Sequence, residues 1–496
     1  MIFRAWVLGT ATALVTACTL IPDYERPAAP VPESWPDQQP YSDAIANADG
    51  SAAIDSLGWR EVFAGDQALV DLIERALTAN RDLRIAALDV LRARAQYRIE
   101  EAGRFPRIGV AADYVRSERP SSSFGTLGRG SRIETETTEL SVGVASYELD
   151  VFGRIRSLEE GALQRYLATE QARRSVQISL IAEVASAYLT YQADRARQWL
   201  ARETLDNRLA TMALAQRRFD LAVSSRLDLN QARLAVEQAR AEVHRQDRRV
   251  AQDRNALRLL TGDDLPESLR AAREFADVTL ALPLPADLRA SLLLRRPDVR
   301  QAERELLAAN ADIGAARAAF FPSITLTGSY GTLSADLDGL FTAGSESWSF
   351  TPRLVIPLFD GGRREAELAV ATLRKRQEIA RYEATIQQAF REVADALAAR
   401  GTLGREMVAQ QGVVEAARET YELSVKRFDH GVDSFLAVLD AQRELFGARS
   451  GLIDVRSAIL GNAVELYRSL GGGWLDHTAD AAPEGGVDAA SLESRE

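Results

Sequence analysis

The 496 residues hold one thiol, Cys18. A lone cysteine closes no internal disulfide, and soft-metal sites need several ligands. The three histidines, His244, His430 and His477, stand far apart and show no ligand spacing. The sequence has no P-loop lysine, no G-x-S-x-G and no His-rich metal motif. Carboxylates are plentiful, but they fall in helical segments with wet faces, where they solvate. This inventory points away from an enzyme and calls for no cofactor and no metal. Two places remain where residue type and spacing could act: Cys18 itself, and a pair of short turns between long helical segments.

Arg4 is the only charge before Cys18, and residues 5–17 form an apolar run too short to span a bilayer. A basic start, a short apolar stretch and small residues before a cut describe a secretory signal, here residues 1–17. Val15-Thr16-Ala17-Cys18 resembles the bacterial lipobox, in which Cys18 would be acylated and become the new N-terminus. The alternative is a plain signal peptide with an incidental cysteine. Acyl chains gain about 0.8 kcal/mol per buried CH₂, so a multiply acylated Cys18 would hold stably to a membrane. Residues 18–58 then carry Pro22, Pro27, Pro30, Pro32, Pro36 and Pro40, which favours an extended, lipid-anchored strap.

The turns are "RFDLAVSSRLD" (218–228) and "RFDHGVDSFLAVLD" (427–440). In the first, Ser224 or Ser225 can cap the returning helix, with Asp220 and Val223 beside them. In the second, Gly431 suits a left-handed C-terminal position, and Asp433 or Ser434 suits an N-cap, with Asp429 and Val432 adjoining. Leu436 and Asp440 are four apart and share a helix face.

The elements that would carry these turns repeat. "RDLRIAALDVLRARAQYRIEEAGRFP" (81–106) matches "PDVRQAERELLAANADIGAARAAFFP" (297–322), "DVFGRIR" (150–156) answers "LFDGGRR" (358–364), and the two turns answer each other. The spacing from Arg154 to Phe219 equals that from Arg363 to Phe428, which marks an internal repeat. The first copy covers 59–285 and the second 286–474. Each reads helix, two strands, very long helix, tight turn, helix. The long helices are expected at 154–219 and 363–428, the return helices at 227–260 and 434–470, and the leading helices around 68–104 and 287–319. No Gly or Pro interrupts Ala162 to Thr261, so helix can run on. About 66 residues at 1.5 Å each make roughly 100 Å. Helices around 68–104 and 227–260, stacked end to end, would cover about the same length.

Helices alone would fit a coiled-coil rod. The strands, near 107–116, 138–149, 323–331 and 347–358, argue otherwise. Ile324, Leu326 and Tyr330 alternate with Ser323, Thr325, Thr327 and Ser329; Trp348, Phe350, Leu354, Ile356 and Leu358 share one face. Each is close to the 9–11 residues of a tilted membrane strand. Open sheet edges are not tolerated in a bilayer, and single-chain barrels start near eight strands. Four strands per chain therefore imply an oligomer of two or three copies. The net charge of −11 argues against a nucleic-acid partner. Part of it lies in 475–496, an acidic, Ala- and Gly-rich segment read as a disordered tail.

At this point the chain resembles the outer-membrane efflux proteins, the TolC-like family, in its lipoprotein branch of NodT/OprM type. "C-TLI-PDYERP" (18–27), "SYELDVFGRIR" (146–156), "LRRPDVRQAE" (294–303), "FFPSITLTGSYG" (320–331), "IPLFDGGRR" (356–364), "GVDSFLAVLDAQRELF" (431–446) and "LYRSLGGGW" (466–474) carry the resemblance in order. It implies an α+β membrane protein: a homotrimer whose four strands per chain make a 12-stranded β-barrel, continuous with a periplasmic 12-helix α-barrel, with residues 263–285 as a belt. It implies a passive exit duct for drugs and other small toxic compounds. Its partners would be a periplasmic adaptor, a proton-driven inner-membrane pump and outer-membrane lipid. The turn residues Asp220, Val223, Ser224, Ser225, Asp429, Gly431, Val432, Asp433 and Ser434 would meet the adaptor. Leu436 and Asp440 would constrict the periplasmic aperture. Phe428-Asp429 departs from the family's aromatic-then-basic pair, so its tip ion pairs do not transfer whole. A duct for protein secretion and a periplasmic helical rod without a barrel are the other readings.

Overall fold

A computed structural model of the chain describes residues 19–36, 38–46, 58–120, 132–266, 269, 275–280 and 288–472. The signal peptide, Cys18, the acidic tail, parts of the strap and most of the expected belt lie outside them. In chain order the elements are α1 (Tyr41–Ala46), α2 (Trp59–Phe63), α3 (Gln67–Ala79), α4 (Arg81–Glu101), β1 (Ile108–Pro120), β2 (Arg132–Leu149), α5 (Arg154–Asp220), α6 (Arg226–Thr261), α7 (Pro297–Ala318), β3 (Ser323–Ser334), β4 (Glu346–Val355), α8 (Arg363–Asp429) and α9 (Phe435–Ser469).

Both 67-residue helices, α5 and α8, start in the same way. A glycine with positive φ, Gly153 or Gly362, turns the chain out of the strand. An aspartate then caps the new helix. Asp150 accepts from the backbone N–H of Ile155 and Arg156 at 2.9 Å each. Asp360 accepts from those of Gly362 at 3.1 Å and Arg364 at 3.2 Å. Each carboxylate satisfies donors that a helix start leaves open, and each also holds an arginine, Arg156 or Arg364.

Several expectations need correction. The leading helix of the first copy is not continuous over 68–104: Asn80 divides it. The Asn80 side chain accepts from the N–H of Asp82 and Leu83, capping α4, and donates to the Leu260 carbonyl. The leading helix of the second copy begins at Pro297, not 287. Proline forces its predecessor out of the helical region, and Arg296 is accordingly extended (ψ 138°), with a 3₁₀ turn over Ala290–Arg295 before it. The strap is not extended throughout, since α1 interrupts it. β4 stops at Val355, short of the expected 358, so Ile356 and Leu358 lie beyond the strand, where Pro357 offers no N–H to a ladder. β1 and β2, by contrast, outrun their apolar stretches. β1 continues to Pro120 and β2 starts at Arg132, because ladder hydrogen bonds need no apolar side chain.

The contacts divide the chain into two compact units. The first contains the sheet, residues 19–27, the C-terminal part of α4 and adjoining helical stretches of α5, α7 and α8. Its sheet is antiparallel in the order β1-β2-β3-β4. Residues 19–26 lie along α7. Arg317 donates to the Leu20 carbonyl at 3.3 Å, Asn310 donates to that of Pro22 at 2.7 Å, and Arg26 makes a bidentate pair with Glu303 at 2.6 and 2.9 Å. Gly314 permits this approach, because a β-carbon there would meet the Ile21 backbone at 2.9 Å.

The second unit contains the turns and the rest of the helices. Its core gathers Trp59, Phe63, Leu69, Leu72, Ile73, Ile181, Tyr188, Leu257 and Tyr467, all fully buried. Some polar groups inside it are paired, though the buried Tyr467 hydroxyl has no hydrogen-bond partner. Asp66 caps α3 and accepts the Tyr188 hydroxyl at 2.6 Å. The buried Arg296 holds Asp298, Glu392 and the Ser469 carbonyl.

Candidate functional site: the sheet face and the helix turns

The register of the sheet collects most of its apolar side chains on one face. Ile108, Val110 and Ala112 stand opposite Val144, Val142 and Leu140. Val142 in turn faces Tyr330, which faces Trp348, and Ile324 faces Leu354. Strand pleating puts directly paired residues on the same side. A bulge in β2 between Val144 and Tyr147 adds a residue to that strand. Without it, Ser146 and Glu148 would continue the apolar face; with it, Tyr147 and Leu149 do, opposite Leu326 and Ile324. The face is bare: Val110 and Trp348 are each 75% exposed and Phe350 62%. Such a contiguous apolar surface demands a cover. The opposite face is mostly polar, with Thr325 between Glu148 and Arg353 and Ser329 bonded to Ser349 at 2.8 Å, although Val115, Leu333 and Val355 also lie on it. β2 and β3 come unusually close, because Gly143 and Gly331 have no β-carbon to strike the Gly328 and Leu140 carbonyls.

The two turns share one backbone design. In each, a residue in the left-handed region ends the long helix, and two backwards N–H bonds close it. Val223 donates to the Arg218 carbonyl and Ala222 to that of Phe219, at 2.9 Å each; Val432 donates to Arg427 at 2.9 Å and Gly431 to Phe428 at 3.0 Å. Gly431 fills the left-handed position of the second turn (φ 74°), but Ala222 fills that of the first (φ 57°).

Their side-chain chemistry differs. In the first turn Ser225 is the cap: its hydroxyl accepts the Asp228 N–H and the Asp228 carboxylate returns to the Ser225 N–H, a reciprocal box. Ser224 is no cap; its Oγ is buried without a hydrogen-bond partner. Asp220 ends α5 and accepts from Gln216 at 2.8 Å. Val223 is exposed. In the second turn Ser434 occupies the N-cap position without a side-chain bond. Asp433 is no cap either. It takes a bidentate pair from Arg427 at 2.6 and 2.9 Å, which holds its carboxyl below the usual range. Val432 is exposed.

The turns meet through a small core of Ala215, Ala232 and Phe435, with Met212, Phe428 and Leu439 packed against it. The Arg218 guanidinium lies 4.6 Å from the Phe428 ring centre. A cavity of about 260 Å³ remains here, lined by Ser224, Asp228, Asp429, Ser434 and Tyr421 among others. Leu436 is half exposed, and Asp440 pairs with Arg443 at 3.1 Å. Asp440 is therefore not the bare carboxylate that residue type alone suggests. Arg427, Arg218 and Phe435 were not singled out by the sequence. A signal existed: Arg218 and Arg427 stand at matching places in the two copies.

The family model for outer membrane efflux proteins matches residues 72–263 and 288–472. The toluene efflux pump outer membrane protein TtgI of Pseudomonas putida is 47% identical over 465 residues, covering 94% of this chain and 97% of that protein. Outer membrane protein OprJ of Pseudomonas aeruginosa is 45% identical over 465 residues, covering 92% of this chain and 93% of OprJ. The open state of the Neisseria gonorrhoeae MtrE outer membrane channel superposes with a TM-score of 0.81 at 37% identity, covering 93% of this chain and all of the channel's. With bare apolar strands on one unit and paired helix turns on the other, this chain belongs to the outer membrane efflux protein family.

Proposed function

We propose that the chain is the exit duct of a tripartite pump for drugs, solvents and similar small toxic compounds, working as a homotrimer. The carrying observation is the sheet: four strands, one bare apolar face, and β1 and β4 as its two outer strands. Three copies joined β4 to β1 make an antiparallel barrel of twelve strands, which removes the edges a bilayer does not tolerate. Lipid covers the apolar face. Energy and substrate choice belong to an inner-membrane pump, because the chain carries no nucleotide-binding motif. The turns dock a periplasmic adaptor, and Leu436 with Asp440 narrows the duct there. Cys18, acylated, anchors the strap.

Relatives named for toluene, solvent and antibiotic efflux support small compounds over secreted proteins as cargo. Light scattering with detergent subtraction should return a mass of three chains, and a stable monomer would refute the architecture. In a planar bilayer, Leu436→Ala with Asp440→Ala should raise the conductance of the isolated channel. A parent-like conductance would remove both residues from the constriction and move it to the Asp220–Asp228 turn.

A further inference from the structure

Away from the turns, the second unit holds a cavity of about 600 Å³ between α5, α8, α9 and the 3₁₀ turn Phe275–Asp277. That is the size of a small-molecule site. Its apolar wall is made by Trp199, Phe275, Met407 and Ile453, and Trp199 is 62% exposed despite its size. Its charged groups are all of one sign. Arg195, Arg449 and Arg456 line it, and no carboxylate does so among the described residues.

The three arginines differ in what occupies them. Arg449 pairs with Glu203 at 2.9 Å and lies 5.6 Å from the Trp199 ring centre. Arg456 spends its donors on the carbonyls of Phe275, Ala276 and Val278, which anchor that segment but do not neutralise the charge. Arg195 lies near the Tyr191 ring, and its Nη1 is buried with no hydrogen-bond acceptor. Nη1 is closed off, so an anion in the cavity meets the rest of the Arg195 guanidinium, whose positive charge no carboxylate in the lining offsets. The exposed indole beside it offers a flat apolar partner.

We propose that this cavity binds a small amphipathic anion, an apolar ring body carrying one sulfonate or carboxylate, with the anionic group on Arg195 and the ring against Trp199. The site shares no residue with the turns, and it does not rest on the function proposed above.

Two probes that differ only by a sulfonate test it: 1-anilinonaphthalene-8-sulfonate and the neutral N-phenyl-1-naphthylamine. They are titrated by fluorescence onto the full chain in lipid nanodiscs, with empty discs subtracted. Arg195→Gln should weaken the sulfonate by about tenfold and leave the neutral probe unchanged. Arg195→Lys, which retains the charge, should restore part of the affinity. Trp199→Phe should abolish much of the tryptophan-to-probe energy transfer while the sulfonate still binds. Equal sulfonate affinity in the parent and Arg195→Gln would overturn the proposal. So would an equal loss for both probes, since that reports a loosened cavity instead of a lost anion contact.

Discussion

Asp253, on α6, should make the protein less stable as pH rises through about 6, and Asp253→Asn should remove that effect. Its Oδ2 is buried with no partner, within hydrogen-bonding reach of the Asp194 side chain on α5. Arg197 is occupied by Asp194 and by Asp454 of α9. Burial, and then the neighbouring Asp194 charge, push the Asp253 carboxyl from 3.8 up to about 6, against a partial offset from Arg249 and Arg197. The unfolded chain loses this proton near pH 4, whereas the folded chain keeps it until about pH 6. Stability therefore falls as pH rises between these values, and the full penalty is present above them. A shift of about two pH units corresponds to about 3 kcal/mol as an upper bound. Partial solvent exposure of the rest of the carboxylate reduces this to about 1–2 kcal/mol. Asparagine matches the shape, carries no charge, and its amide can donate to Asp194. At pH 8 the variant should gain a few degrees in its thermal transition; at pH 5, where Asp253 is already protonated, it should gain little. Circular dichroism melts at one fixed scan rate, in one detergent, measure both. An equal gain at the two pH values, or a loss at pH 8, would refute the reasoning.

Two further outcomes follow from the sheet and the turns. Phe350→Lys should reduce outer-membrane yield far more than Ser349→Lys, because a lysine on the lipid face costs about 2–4 kcal/mol at mid-bilayer and little on the other side. Comparable yields by membrane fractionation would reverse the assignment of faces. Ala222→Gly should raise stability by about 1 kcal/mol and Gly431→Ala should lower it by a similar amount, since only the residue with a β-carbon strains in the left-handed region. Thermal melts of the pair read this directly, and shifts of the same sign would contradict it.

Much of this was legible from residue order. The stretch from Ala162 to Thr261 lacks Gly and Pro, so two long helices and a single interruption at the turn could be read from it. The β3 face was legible because alternation there is strict, and the β4 face as far as Leu354. Other features left weaker marks. Asn80 is no helix breaker by type; it divides α3 from α4 because its side chain also finds Leu260. The β2 bulge is hidden, since Val142, Val144, Tyr147 and Leu149 fall on one face only once an extra residue is inserted between them. At the turns, Ser225 and Gly431 do what their types suggest. Asp433 looks like a cap but is taken by Arg427, a charge pair formed across the turn that cap propensities do not weigh. Ala222 gives no hint of its conformation except that it stands where the second copy has Gly431.

The order β1-β2-β3-β4 also bears on how the protein is manufactured. The seam inside one chain, β2 against β3, joins the first copy to the second. A seam between chains, β4 against β1, would join the second copy to the first in the same antiparallel sense. Each newly made chain thus carries two raw borders that fit one another, a head-to-tail arrangement that polymerises without limit unless it bends round on itself. Gly143 and Gly331, which let β2 and β3 draw together, are where that bending can be set. A cell making this protein must keep its borders apart until enough curvature and lipid are present to close a ring. The danger in its biogenesis is a ribbon that never stops growing.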